Sequence, residues 1–245
     1  MHAMRARGLL PRIVGWLLAI PAALSLPALA SGLAQGVAAW WASPESATVL
    51  LGLPCGVFAG WAISRWANVL RTIEHELTHA VVGLPFGLIP YGIVVTRDRG
   101  GLVRQFALPV PVPLILWPLV GMHVSGLAPY SIPLFALTLG FLTPPTWAIA
   151  VGIAMGHHLY CKPGEIRSNI GWSAMEMADG EAGHTDIAQS GYIVSAILIP
   201  VLALASYGIL FHALAYGPAH GARMWLAAIT PRFEATLAWA EASIR

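Results

Sequence analysis

Residues 47–83 read ATVLLGLPCGVFAGWAISRWANVLRTIEHELTHAVVG. The first half is apolar almost throughout, and a run of about 20 such residues crosses a bilayer. The second half gathers Arg71, Glu74, His75, Glu76 and His79. Ionisable groups in apolar surroundings are costly and usually functional, so something must offset this cluster. No strong breaker interrupts the stretch before Pro85 and its neighbouring glycines. The pattern predicts a helix over about 58–83 that carries IEHELTHA. One straight helix over 47–83 would be about 55 Å long at 1.5 Å per residue. That exceeds the bilayer, so a bend or a projecting helix end is expected.

The rest of the chain has the same apolar character. Of 245 residues, 57% are hydrophobic and 10% charged, with a mean hydropathy of +0.71. Soluble domains carry roughly 25% charged residues, so the composition places the chain in the membrane class. The net charge of +2 is small and by itself says nothing about nucleic acid, but no basic run of the kind a nucleic-acid patch needs is present, so no nucleic-acid partner is expected. Cys55 and Cys161 stand far apart and match no metal or redox spacing.

Hydropathy predicts a multi-pass arrangement in the lipid bilayer. An N-terminal helix is expected over about 13–31, preceded by Arg5, Arg7 and Arg12, with no further basic residue until Arg65. The positive-inside rule puts that terminus in the cytoplasm. Ala28-Leu29-Ala30 resembles a signal cleavage site, but the apolar stretch is longer than most signal cores, which favours an uncleaved helix. Trp40 and Trp41 suit a membrane interface. Residues 47–64 form the next span. Over 86–106, the β-prone runs 93–96 and 102–103 flank Asp98-Arg99-Gly100-Gly101, which predicts a short hairpin at the cytoplasmic membrane face. Residues 107–126 hold Pro109, Pro111, Pro113 and Pro118 and read as an irregular or re-entrant stretch, tolerated in a bilayer only under cover of protein. Spans follow at about 127–143 and 145–160, divided by Pro144 and Pro145. Residues 161–185 are polar, 190–216 form the last span, and 221–245 suit an amphipathic surface helix. The expectation is an all-α polytopic membrane protein, a single domain over 1–245 with five or six transmembrane helices and one β-hairpin after the histidine helix.

On a helix, residues i and i+4 share a face. His75 and His79 can therefore offer two imidazoles to one ion. Glu76, rotated about 100° from His75, reaches a water without ligating the metal. This is the physical content of H-E-x-x-H, two zinc ligands and a general base. A catalytic zinc site takes three protein ligands and leaves one position open. The third must come from elsewhere, and His157, His158, Glu176, Asp179, His184 and Asp186 are the candidates. His157 and His158 fit better as hydrogen-bonded helix-end residues. His123 and His212 are isolated and read as structural or interfacial.

HELTHA on an apolar helix resembles the site-2 protease family of intramembrane zinc metallopeptidases, above all its compact bacterial members. Three shorter pieces agree: GGLV at 100–103, LAPY at 127–130 opening a span, and HTDI at 184–187 before the last span. The resemblance covers roughly 60–190. It implies a Zn²⁺ cofactor held by His75, His79 and Asp186, with Glu76 as the base. It also implies a membrane protein or peptide as substrate and residence in a bacterial inner membrane. The hairpin, at Gly100, Gly101 and Val103, would bind substrate. The Asn-Pro…Leu-Asp-Gly motif that supplies the aspartate in better-known members is missing. MADG at 177–180, with Asn169 upstream, echoes it only in part, which leaves Asp179 as a rival to Asp186.

Two other classes remain in view. A lipid desaturase or hydroxylase uses several histidine boxes, whereas of nine histidines only those of HELTH and GHH (156–158) are clustered here. A catalytically silent scaffold would have no need of an intact Glu76 between two histidines.

Overall fold

The computed structural model describes residues 9–62, 64–96, 100–109, 111, 114, 116–142, 147–178 and 186–244. Among them the chain is mostly helical, with one small sheet. The elements run α1 (Leu9–Trp41), α2 (Ser46–Ala62), α3 (Ser64–Gly83), β1 (Leu88–Thr96), β2 (Gly100–Ala107), α4 (Leu116–Leu127), α5 (Leu134–Leu142), α6 (Ala148–Ala178), α7 (Asp186–Ser190), α8 (Tyr192–Tyr216) and α9 (Pro218–Ile244). α1 and α8 are long and apolar enough to cross a membrane, and α4 with the following turn and α5 would add a third if they form one broken span. α2 is a shorter apolar helix. Prolines lie inside both long helices, at Pro21 and Pro27 and at Pro200. Membrane helices tolerate such residues better than soluble ones do.

Several boundaries differ from the sequence expectation. The described helical segments here are α2, ending at Ala62, and α3, beginning at Ser64, and residue 63 between them lies outside the described residues. The proline-rich region is helical from Leu116 onward. Pro118 falls in the first turn of α4, where backbone N–H groups have no partner within the helix, so its missing donor costs little. LAPY closes α4 as a 3-10 turn over Ala128–Tyr130 rather than opening a span. The helix expected to end near residue 160 continues into the polar stretch, since α6 runs to Ala178. Pro113, Pro144 and Pro145 lie outside the described residues, as do Arg97, Asp98 and Arg99 of the hairpin turn.

The chain divides into two compact units, and α1, α6 and α8 each contribute to both. The first unit holds α3, the hairpin, α4, the later part of α6 and α7. Its centre is α3, which packs against both strands, α4 and the 128–130 turn. The strands pair antiparallel from Leu88↔Ala107 to Thr96↔Gly100, with a bulge between Pro90 and Gly92. Proline has no N–H to give the ladder, so the irregularity falls where pairing is already weakest. Gln105 ties β2 to α3 by donating to the backbone carbonyl of His79 at 2.8 Å. Gly83 makes that approach feasible, because a Cβ there would lie 2.7 Å from the Gln105 amide nitrogen. Gly191, at φ +89°, sits in the left-handed region between α7 and α8, where glycine carries no Cβ penalty.

The second unit has its own core of Trp40, Val49, Ala136, Ala148, Val151, Met155 and Leu210. Its helices α2 and α6 meet backbone to backbone. A Cβ on Gly52 or Gly56 would lie 2.3 or 2.1 Å from the carbonyl oxygens of Ile149 and Ile153, and one on Gly152 or Gly156 would lie 2.1 Å from those of Val49 and Leu53. Small residues four apart let helices approach this closely where lipid removes the hydrophobic drive to associate. Gly152→Leu is therefore expected to lower the melting temperature of detergent-purified protein, because overpacking a core costs ~1–3 kcal/mol of stability. Gly171→Leu, on the same helix, should leave it unchanged, because a Cβ there would meet nothing within 4 Å. Equal melting temperatures for the two variants would refute the close contact. The C-terminal stretch is helical, as α9, with Trp225 and Ile229 packed on Gly32 of α1 and Trp239 exposed.

Candidate metal centre

Helical spacing brings His75 and His79 together as expected, with ring centroids 4.8 Å apart. Asp186, the first residue of α7, meets them: its Oδ2 lies 3.5 Å from Nε2 of His75 and 3.5 Å from Nε2 of His79. One donor atom from each of the three lies within 4.8 Å of the others, so this group can hold a metal ion. Around a tetrahedral ion with bonds of about 2.0–2.1 Å, two donor atoms sit roughly 3.4 Å apart. The nitrogen–oxygen spacings are compatible with a shared ion. The Asp186 side chain is 28% exposed against 13–16% for the imidazoles, so the centre opens on that side.

Each of these three side chains is held from behind. Nδ1 of His79 donates to the backbone carbonyl of Ser125 at 2.8 Å. A carbonyl can only accept, so in the neutral ring Nδ1 carries the hydrogen and Nε2 keeps the lone pair facing Asp186. The Tyr130 hydroxyl donates to Oδ2 of Asp186 at 3.0 Å and accepts from Nδ2 of Asn169 at 2.6 Å. Oδ1 of Asn169 accepts from the backbone N–H of Ile187 at 3.4 Å, so one amide fixes both Tyr130 and the start of α7. Nδ1 of His75 faces Oε2 of Glu165 at 3.5 Å.

Glu76 is 4% exposed and lies under β2. A Cβ on Gly101 would come within 2.5 Å of its Cγ and Oε1, so only glycine leaves room for this carboxylate. Glu76 also accepts a backbone hydrogen bond from Val103. Gly101 and Val103, singled out in the sequence for substrate, are thus seen touching Glu76; Gly100 is the first residue of β2.

The charges around the rings bear on which group fits. On α3, α6 and α7, the buried or half-buried charged side chains described are Glu74, Glu76, Glu165 and Asp186 against Arg71 and Lys162. Isolated buried charges are costly unless paired or coordinated to a metal.

The rival ligands fare unevenly. Asp179 and His184 lie outside the described residues, and the Glu176 side chain is likewise not described. His158 is buried in the second unit with its ring 6.1 Å from Tyr207, and His157 precedes it on α6. His123 and His212 have the structural roles expected: Nε2 of His123 donates to the carbonyl of Pro11 at 2.8 Å, and Nδ1 of His212 to that of Gly208 at 2.9 Å. Sequence reading missed Glu165 and Ser125 altogether and found Tyr130 and Asn169 only as fragments of motifs. The one available signal for Glu165 was Lys162-x-x-Glu165, an ion pair at helical spacing (2.9 Å) just past an apolar run. A backbone carbonyl such as that of Ser125 leaves no trace in sequence.

Comparison with family models, curated proteins and solved structures gives no match to this chain. Among the described residues, the fold and site define a mostly helical chain with two helices long and apolar enough to cross a membrane and a His75–His79–Asp186 group that could hold one metal ion.

Proposed function

We propose that the protein is an intramembrane zinc metalloprotease of the site-2 protease kind, hydrolysing a peptide bond of a membrane protein or peptide substrate. The observation that carries this reading is the convergence of Asp186 with His75 and His79 while Glu76 stays off the ligand set. Two imidazoles and one carboxylate with an open side are a ligand set zinc favours in catalytic sites. We assign the chain five or six transmembrane passes and a bacterial inner membrane, with the hairpin on the cytoplasmic side.

Zinc, when bound, supplies Lewis acidity for the scissile carbonyl and lowers the pKa of a water toward neutrality. Glu76 accepts a proton from the attacking water and returns it to the leaving amine. Val103 and the glycine at 101 hold that carboxylate in place. Tyr130 and the carbonyl of Ser125 orient Asp186 and His79. The hairpin captures substrate: an unwound transmembrane segment adds as a strand beside Gly100, Gly101 and Val103, through main-chain pairing that demands little of its sequence. A strand added on the β2 side would run past Glu76.

The purified protein is expected to carry about one zinc per chain, as an open three-ligand site implies. Metal analysis after mild purification checks this. Protein without stoichiometric zinc, and unable to take it up on readdition, would defeat the proposal, and stoichiometric iron would transfer it to the oxygenase class.

A further inference from the structure

Glu165 sits at a junction that the proposed chemistry does not use. Its Oε1 pairs with Nε of Arg71 at 3.2 Å, and its Oε2 pairs with Nζ of Lys162 at 2.9 Å. The same Oε2 lies 3.5 Å from Nδ1 of His75, on the side of the ring away from Asp186. Lys162 is 4% exposed, an unusual place for an ammonium group. Lysine is almost never fully buried unless paired, and here its described partner is this carboxylate. The two cations pin a carboxylate whose remaining reach is toward one imidazole.

We infer that Glu165 is a positioning residue of the metal centre: anchored by Arg71 and Lys162, it accepts the Nδ1–H of His75 and turns Nε2 toward the ion. The inference rests on the metal reading above. The chemistry is general. A metal-bound imidazole commonly donates its other N–H to a carboxylate or carbonyl, which fixes the tautomer and raises ligand basicity. His79 has such a partner in the Ser125 carbonyl, and Glu165 is the corresponding group for His75. It comes from α6, an element that supplies none of the three metal-facing atoms. Arg71, one turn before His75 on α3, holds the Glu165 end of the contact.

The test compares Glu165→Ala and Glu165→Gln in full-length protein in detergent. Zinc affinity is measured by competition with a chromophoric chelator, and the melting temperature of the metal-free protein is recorded alongside. Glutamine keeps an oxygen that accepts the Nδ1–H but loses the charge that pairs with Arg71 and Lys162. Alanine loses both. Glu165→Ala should weaken zinc binding by ~10–100-fold, the usual cost of removing such an outer partner. Glu165→Gln should bind within a few-fold of wild type, although its metal-free form melts lower. If both variants lose affinity equally, charge pairing alone explains Glu165 and the inference fails. If alanine binds zinc as tightly as wild type, the inference fails while the metal reading stands. If wild type binds no zinc, both fail. Should the alanine variant not fold, glutamine decides alone: retained affinity with a lowered melting temperature supports the positioning role, and lost affinity overturns it.

Discussion

Glu76→Gln is expected to abolish most turnover while leaving the metal in place. The loss should be at least ~10²-fold, the lower end for a general base. Glutamine matches glutamate in size, so it fits beneath Gly101, where the clearance is set by the absence of a Cβ. It can still hydrogen-bond but cannot take up a proton. Glu76 is not among the three residues whose donor atoms converge, so removing its charge does not remove a ligand. Cleavage of a co-expressed membrane substrate and zinc content are measured on the same preparation. Normal cleavage by this variant would end the protease mechanism. Loss of zinc together with activity would instead make Glu76 part of the ligand set.

Asp186→Ala should have the opposite signature, with the metal lost first and activity lost as a consequence. A four-ligand zinc site is worth about 10–16 kcal/mol, so one ligand's share corresponds to at least ~10²-fold in affinity. Oδ2 of Asp186 is the atom placed 3.5 Å from both imidazole nitrogens, and no other described carboxylate joins that group. Asp179→Ala, the alternative raised by MADG, should retain zinc and cleavage. Chelator competition on the two variants distinguishes the assignments. If Asp179→Ala strips the metal and Asp186→Ala does not, the third ligand is misassigned and the protease reading survives. If neither variant changes affinity, neither aspartate is a ligand and the three-residue centre is wrong.

The local parts of this protein were legible in its sequence because they depend on helical and strand periodicity. His75 and His79 had to share a face at i and i+4, with Glu76 offset, wherever that helix lay. The hairpin followed from β-prone runs around a glycine-containing turn, and α1, α8 and α9 from uninterrupted apolar or amphipathic stretches. Helix ends were less legible. The persistence of α6 past residue 160 was not read beforehand, because the stretch turns polar there without a breaker strong enough to decide the helix end. Asp186 could be favoured as third ligand only by resemblance, because its sequence distance from His79 says nothing about proximity. Tertiary packing places it beside the histidines: the Ser125–Tyr130 segment and the amide of Asn169 come from two separate parts of the chain and converge on one small volume. Residues 101 and 103 were noticed for substrate, yet only packing of β2 on α3 revealed that they enclose Glu76. Sequence determined which groups could do the chemistry, since that is fixed by residue type and local period. Which of them meet was fixed by long-range burial and hydrogen bonding, which a one-dimensional pattern does not encode.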